Sequence, residues 1–185
     1  IPIFFIGRKL GGKLGGFLAA TIVAVHASIL GRTPAGFADT DGYNVLLPLL
    51  ITWAFMTAIY VKDWRKKVAF SILTGFLMGV FAFAWGGFWY VFDFLFLAMV
   101  ASLFVFLAKS YIEERSFKKL LHVPRIKWSF IILGIYTLSS FIFVSLFKSA
   151  KLFIDATLTG PFGFTFLKDA AKENLWPNVY TTVAE

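Results

Sequence analysis

Long apolar stretches alternate along the chain with short basic or polar segments, a pattern typical of helices that cross a membrane. Such a helix needs roughly 20 apolar residues to span the hydrocarbon layer. Pro48 fits this interpretation, because it lies in the first turn of its stretch, where a missing N–H costs little. The pattern predicts five spans, at Leu14–Leu30, Val45–Val61, Val68–Trp85, Trp89–Ala108 and Trp128–Phe147.

The segments outside the spans divide the chain into two parts. Residues 1–147 are predicted to form a transmembrane helical domain, and residues 148–185 a long external loop with a short surface helix at Leu167–Leu175. Ile1–Ile6 reads as the last turn of a helix whose beginning is absent, and Glu185 falls inside a motif described below. We therefore expect both ends of the sequence to be cut.

The composition agrees with a membrane protein. Hydrophobic residues make up 59% of the 185 residues and charged residues only 15%, whereas soluble domains carry about 25% charged residues. A soluble globule and a disordered tail are excluded. The chain has no Cys, which excludes disulfides, thiol nucleophiles and thiolate metal sites within it. The expected fold class is an all-α polytopic membrane protein.

The basic residues predict how the spans are oriented. If five spans alternate, 13 of the 18 Lys and Arg residues lie on one side, which the positive-inside rule makes cytoplasmic. Loop 31–44 holds only Arg32, so this loop and the tail 148–185 are predicted to face outward. The net charge of +8 is then explained by topology and by attraction to membrane lipid, and nucleic acid is not an expected partner.

Two acidic residues in the outer loop are candidates for binding a cation. Asp39 and Asp41 are spaced i, i+2, which on an extended segment places both carboxylates on the same side. Hard oxygen ligands suit Mg²⁺, Mn²⁺ or Ca²⁺. The same Asp-Thr-Asp-Gly sequence is equally good turn and helix-cap chemistry. Arg32 can pair with Asp39, bind a phosphate or anchor the chain at the interface.

Two further ionisable residues lie within or near spans. Asp93 is predicted one turn into the fourth span, and His26 one turn from the outer end of the first. Intramembrane acids are functional candidates by default. We nevertheless expect a structural role for Asp93, because it is close to the outer interface, and we expect His26 to be a satisfied core or interface histidine.

Three segments, in order along the chain, resemble the catalytic subunit of oligosaccharyltransferase, especially its archaeal branch. They are Arg32-Thr-Pro-Ala-Gly-Phe-Ala-Asp-Thr-Asp41, Gly86-Gly-Phe-Trp-Tyr90 and Trp176-Pro-Asn-Val-Tyr-Thr-Thr-Val-Ala-Glu185. The last contains Thr182-Val-Ala-Glu185, similar to the family's Thr-Ile-x-Glu motif with Val in place of Ile. Four predicted spans separate Asp41 from Trp176, and an even number returns both carboxylate motifs to one side of the membrane.

The resemblance implies a fold, a location and a reaction. The fold is part of a GT-C-type glycosyltransferase membrane domain, about five transmembrane helices and a long external loop. The implied location is the cell membrane, with a multi-pass chain and an extracytoplasmic site. The implied reaction is transfer of an oligosaccharide from a dolichol phosphate or pyrophosphate donor to Asn of Asn-x-Ser/Thr acceptor polypeptides.

The resemblance also implies roles for single residues. Asp39, Asp41 and Glu185 become the catalytic acids and the ligands of a divalent cation, Mn²⁺ or Mg²⁺. Arg32 is expected to contact the donor phosphate, and Thr182 to help hold the acceptor peptide. An earlier Asp-x-Asp loop and a Trp-Trp-Asp-Tyr-Gly motif of the family are not among these residues, so the site is expected to be incomplete in this chain. A helix pair usual in the family is expected to be missing near Lys109–Lys127.

Three other functions are alternatives. A transporter or channel is one, although such proteins commonly show internal repeats and several intramembrane ionisable groups, and this chain has one candidate acid. Another polyprenyl-phosphate-sugar-dependent glycosyltransferase is the second, since acidic pairs also occur in an early external loop there. A non-catalytic assembly subunit or degenerate relative that keeps the loop pattern is the third.

Overall fold

The computed structural model describes residues 1–27, 29, 41–114 and 123–160, and within these residues all regular structure is helical. A 3₁₀ turn, Gly86–Phe88, joins the third helix to the fourth. The α-helices are α1 (Pro2–Ala24), α2 (Asp41–Tyr60), α3 (Trp64–Ala84), α4 (Trp89–Glu114), α5 (Pro124–Phe147) and α6 (Ala150–Thr159).

Local capping chemistry sets where several helices begin. The side chain of Asp63 accepts a hydrogen bond from the backbone N–H of Arg65 at 3.0 Å, which starts α3. Ser149 accepts one from the N–H of Leu152 at 3.1 Å and starts α6. Pro124 occupies the first turn of α5, where the absence of its N–H is tolerated. These starts lie in polar sequence outside the apolar stretches.

Helix α1 folds back on itself at two glycines. Gly11 and Gly12 leave the helical conformation, and Gly12 has φ of 66°, which glycine adopts without steric cost. A Cβ added to Gly7 would lie 2.6 Å from the carbonyl oxygen of Gly15 and 2.9 Å from Cβ of Ala19. The two halves of α1 therefore pack as a tight antiparallel hairpin that only small residues permit.

Four helices within the described residues are long and apolar enough to cross a membrane: Gly42–Tyr60, Trp64–Ala84, Gly86–Lys109 and Pro124–Phe147. They coincide with four of the predicted spans. The remaining prediction, Leu14–Leu30, overlaps the second half of α1, but α1 ends at Ala24, earlier than predicted. Residues 28 and 30 of this prediction lie outside the described residues.

The long helices α2, α3, α4 and α5 alternate in direction along the chain, so their ends gather at two opposite ends of the bundle. Lys67, near the start of α3, donates from Nζ to the Ile59 carbonyl at the end of α2 (3.1 Å) and lies 5.9 Å from the ring centre of Trp128 in α5. At the other end, Lys148, which follows α5, has its Nζ 5.3 Å from the ring centre of Phe83 near the end of α3. Helices α3 and α5 therefore run parallel, and α2 runs antiparallel to α3.

We call the end that holds Lys67 the basic end and the other the opposite end. The turn of α1 reaches the basic end, because Lys9 Nζ lies 5.6 Å from the ring centre of Tyr60. Partial burial lowers the pKa of Lys9 from its usual value, since desolvation disfavours the charged ammonium. The basic segments thus converge at one end, as the sequence predicts.

A layer of large side chains forms the core between α2, α3, α4 and α5. Ile51, Met78, Phe81 and Tyr136 are each fully buried there. The hydroxyl of Tyr136 donates to the carbonyl oxygen of Phe92 at 3.4 Å, which links α5 to α4. Many large apolar side chains point away from this core and are exposed, as expected of helices whose outer faces contact lipid.

Candidate functional site

The candidate site lies at the opposite end of the bundle, where α2 begins and α5 leads into α6. Asp41 is the first residue of α2. Asp39, Arg32 and the side chain of Asp41 lie outside the described residues, so the proposed pairing of the two carboxylates remains a prediction.

The first turn of α2 contains a polar group that the sequence analysis did not single out. The side-chain oxygen Oδ1 of Asn44 is buried and has no hydrogen-bond partner within the described part of the chain. Asn44 follows Asp41 by three residues, so the two residues share a face of α2. That spacing was the signal available in the sequence. An amide oxygen is a hard ligand for metal ions and an acceptor of hydrogen bonds. A buried one normally has a hydrogen-bond partner or an ion bound to it.

Asp93 lies in the second turn of α4, close to the same end. Its oxygen Oδ2 is buried without a hydrogen-bond partner among the described residues, although the side chain as a whole is only partly buried. The neighbouring Phe92 accepts the hydrogen bond from Tyr136. Asp93 thus lies beside the α4–α5 contact, which agrees with the structural role expected for it. Its oxygen Oδ2 has no hydrogen-bond partner among the described residues.

His26 follows the end of α1 and makes two hydrogen bonds through its backbone. Its N–H donates to the carbonyl of Val23 at 3.4 Å, and its carbonyl accepts from Ile29 at 3.0 Å. The side chain is exposed, so His26 does not belong to the protein core.

Helix α6 lies across the opposite end, where Phe153 is buried and Leu152 and Ala156 are partly buried against the core. Phe153 is buried, and its ring lies 5.0 Å from that of Phe92 and 5.6 Å from that of Phe141. At the end of α6, a Cβ added to Gly160 would lie 2.5 Å from the indole of Trp89. The chain therefore leaves the described region beside Trp89. Thr182, Glu185 and the predicted helix Leu167–Leu175 lie beyond it, outside the described residues.

The Gly86–Tyr90 segment forms the connection between α3 and α4 at this end. Phe88 is fully buried, and its ring stacks on that of Phe153 with centroids 6.4 Å apart. The rings of Trp85 and Tyr90 lie 5.8 Å apart, edge to face. This segment therefore acts as a rigid aromatic platform under α6.

An apolar groove runs down from the platform between α4, α5 and α6. Its volume is about 540 Å³, and it opens along the lipid-facing side of the bundle. Its lining extends from Phe153 and Phe141 near the opposite end to Leu133 and Phe130 nearer the middle of α5. A groove of this shape and chemistry suits a hydrocarbon chain.

The predicted metal centre cannot be assembled from the described residues alone. Among residues 1–27, 29, 41–114 and 123–160, no three His, Asp or Glu side chains come close enough to hold an ion. Two of the three predicted ligands, Asp39 and Glu185, lie outside that part of the chain. The divalent cation and its ligands therefore stay predictions.

Comparison with known proteins gives the family. Residues 1–185 match the family described as oligosaccharyl transferase STT3, N-terminal. The dolichyl-phosphooligosaccharide-protein glycotransferase of Methanococcus voltae is 26% identical over 203 residues, which cover 100% of this chain and 21% of that protein. The protein of the same name from Methanocaldococcus jannaschii is 23% identical over 257 residues, covering 100% of this chain and 27% of its own length.

A bacterial protein is also similar over a shorter region. The undecaprenyl-diphosphooligosaccharide–protein glycotransferase of Campylobacter jejuni is 32% identical over 75 residues, which cover 40% of this chain and 10% of that protein. No solved structure matches the chain. The family match covers every residue, and the all-helical membrane fold agrees with it, so the chain belongs to the oligosaccharyl transferase STT3 family and corresponds to the N-terminal membrane region of that family.

Proposed function

We propose that the protein containing this chain transfers an oligosaccharide from a polyprenyl phosphate or pyrophosphate donor to the Asn of Asn-x-Ser/Thr sequences on the extracytoplasmic face of the cell membrane. The match of the whole chain to the STT3 family carries this proposal. The described helix ends are compatible with it, because α2 begins and α6 lies at the same end of the bundle.

The proposed chemistry follows from the difficulty of the reaction. The acceptor is an amide nitrogen, whose lone pair is tied up in the conjugation that gives peptide bonds their rotation barrier of about 18–20 kcal/mol. Carboxylates that accept hydrogen bonds from the amide N–H groups weaken that conjugation. We assign this acidic environment to Asp39, Asp41 and Glu185, with Arg32 contacting the donor phosphate and Thr182 the acceptor peptide.

A divalent cation, Mn²⁺ or Mg²⁺, is the proposed cofactor. Asp39, Asp41 and Glu185 would hold it, and bound there it would neutralise charge developing on the departing phosphate. The buried amide oxygen of Asn44 adds a polar atom to the first turn of α2, the helix that begins at Asp41.

The apolar groove between α4, α5 and α6 is the proposed path of the donor's polyprenyl tail. It starts at Phe153, on the end of the bundle where the donor phosphate would bind, and continues toward the middle of α5. Its lining is almost entirely apolar and it is open to lipid, so a long branched tail can enter sideways from the bilayer.

Removal of single carboxylates in the complete protein tests the proposal. Asp39→Asn, Asp41→Asn and Glu185→Gln should each lower transfer from a lipid-linked oligosaccharide to an Asn-x-Ser/Thr peptide by about 100-fold, because each removes a charge that acts at the reacting centre. Asp63→Asn is the matched control, since Asp63 caps α3 at the basic end. Unchanged transfer in all three variants, with normal expression, would refute the assignment of these residues.

The same assay separates the proposal from the alternative of another glycosyltransferase that uses a polyprenyl-phosphate sugar. Such an enzyme would consume the donor without modifying an Asn-x-Ser/Thr peptide. Transfer to that peptide, lost when its Asn is replaced by Gln, is the expected result.

A further inference from the structure

A cavity of about 520 Å³ lies at the basic end of the bundle, enclosed by the ends of α2 and α3, the second half of α4 and the first turns of α5. The cavity is separate from the candidate site, which lies at the opposite end. It is also separate from the apolar groove, which lies between α4, α5 and α6. Most of its wall is apolar. Its polar lining consists of Tyr60, Lys67, Ser102, Arg125, Trp128 and Ser129.

The charge of the cavity is positive. Two cations line it, and no acidic side chain stands among the described residues of its wall. A pair of cations beside low-dielectric walls attracts an anion strongly, because water screens the charges poorly there.

Both cations are held in place by contacts that leave donors free. Lys67 Nζ donates to the carbonyl oxygens of Ala58 (3.5 Å) and Ile59 (3.1 Å). An ammonium group has three N–H donors, so one remains. The guanidinium of Arg125 lies 4.6 Å from the ring centre of Phe106. Stacking of this kind leaves the in-plane N–H edge available for a bidentate contact with phosphate.

The first turn of α5 adds a second source of positive potential. Val123 precedes the helix and makes no side-chain cap. The first N–H groups of a helix have no partner within it, and the helix dipole places partial positive charge there. Arg125 lies in this first turn, so its side chain and the helix terminus act on the same anion.

We propose that this cavity binds a phosphate group, supplied by the headgroup of an anionic lipid in the leaflet at the basic end of the bundle. The volume lies within the range of small-molecule sites, about 300–1,000 Å³. Basic pockets between transmembrane helices on the cytoplasmic side are suited to anionic headgroups, and the positive-inside rule assigns the basic end to that side. The proposal does not depend on the proposed catalytic function.

Lipid selectivity of the complete protein tests this inference. The protein is placed in nanodiscs of phosphatidylcholine with a minor fraction of phosphatidylglycerol, and the lipid retained after extraction is counted by native mass spectrometry. We expect selective retention of phosphatidylglycerol. Arg125→Gln should weaken that retention about tenfold, the loss typical of one charge-assisted hydrogen bond. Arg125→Lys, which keeps the charge but cannot make the bidentate contact, should restore only part of it.

The matched control is Lys127→Gln, which removes one charge from an exposed position on the same helix that does not line the cavity. It should leave retention within about twofold of the unaltered protein, since Lys127 does not line the cavity. Equal loss in Arg125→Gln and Lys127→Gln would overturn the proposal, because retention would then reflect net charge alone. Equal retention of phosphatidylcholine and phosphatidylglycerol would overturn it too.

A second arm identifies the source of the phosphate. Millimolar inorganic phosphate is added to the protein in nanodiscs that contain only phosphatidylcholine, and the thermal unfolding midpoint is followed. No shift is expected, in contrast to a rise when phosphatidylglycerol is present, because the lipid tail contributes to binding. A rise with inorganic phosphate that is absent in Arg125→Gln would support the phosphate site but overturn the assignment to lipid.

Discussion

Gly75 of α3 and Ser139 of α5 approach so closely that a Cβ added to Gly75 would lie 2.6 Å from Cβ of Ser139. The hydroxyl of Ser139 donates to the carbonyl oxygen of Ser71 at 3.4 Å, across the same contact. Four residues further along α3, a Cβ on Gly79 would lie 2.7 Å from Cβ of Phe143. Membrane helices associate through this kind of small-residue contact, since lipid supplies no hydrophobic drive between them. The α3–α5 pair is therefore the structural centre of the bundle.

Replacement of Gly75 by Ala should destabilise the protein by about 1–3 kcal/mol, because the new methyl group overpacks a contact that has no spare volume. The measurement is the thermal unfolding midpoint of the purified complete protein in detergent. Gly134→Ala is the matched control, since a Cβ there meets nothing within 4 Å. That control should be neutral or slightly stabilising, because Ala favours helix over Gly. A midpoint in Gly75→Ala equal to that of the control would contradict the packing argument.

The apolar pattern predicted four membrane helices well but missed parts of their ends. Helix α3 begins at Trp64, four residues before the predicted span, because Asp63 caps a basic turn that carries no apolar signal. Helix α4 continues to Glu114, beyond the predicted end at Ala108. Lys and Glu are good helix formers, so a helix can outlast its hydrophobic stretch. Hydropathy therefore locates the membrane-crossing part of a helix better than its termini.

Two features of the fold could not be read from the pattern. The reversal at Gly11 and Gly12 was missed, because glycines in membrane helices serve packing as often as turns. Helix α6 was missed, because its ten residues are too short to give a clear period within a tail interpreted as a loop. Among the predicted acids of the candidate site, Asp39 and Asp41 were proposed from their spacing, whereas Glu185 was proposed only through its motif. Residue spacing cannot say that positions 39 and 185 meet in space.

Single cysteines should report the orientation of the bundle, since the chain has none of its own. Lys151→Cys in α6 and Lys66→Cys in α3 replace exposed lysines at opposite ends. In intact cells carrying the complete protein, with any cysteines elsewhere replaced, a membrane-impermeant maleimide should label Lys151→Cys and leave Lys66→Cys unlabelled until the membrane is opened. The positive-inside rule gives this sign. The reverse labelling pattern would place the motif-bearing loops in the cytoplasm and would contradict the proposed extracytoplasmic site.

Removal of divalent cations should abolish oligosaccharide transfer, because the proposed site gathers several carboxylates that repel one another when no cation is bound. Activity of the complete protein is measured after chelation with EDTA and again after addition of single metals. Mn²⁺ and Mg²⁺ should restore transfer better than Zn²⁺, since the proposed ligands are all hard oxygens. Full activity in chelated, metal-free protein would remove the cation from the proposal while leaving the family membership unaffected.

Replacement of Phe153 by Ala should loosen α6 from the bundle and impair the acceptor loop that follows it. Phe153 is 7% exposed and contacts the rings of Phe88, Phe92 and Phe141, so its loss removes the aromatic contacts that hold α6. Phe→Ala changes in packed sites cost about 3–5 kcal/mol, more than a ten-residue surface helix retains by itself. Because α6 precedes Thr182 and Glu185 in the chain, transfer should fall mainly through a higher KM for the acceptor peptide.

Leu158→Ala in the same helix is the control, because Leu158 is 65% exposed and its replacement should leave KM unchanged. If Phe153→Ala and Leu158→Ala both keep the KM of the unaltered protein, α6 does not position the acceptor loop.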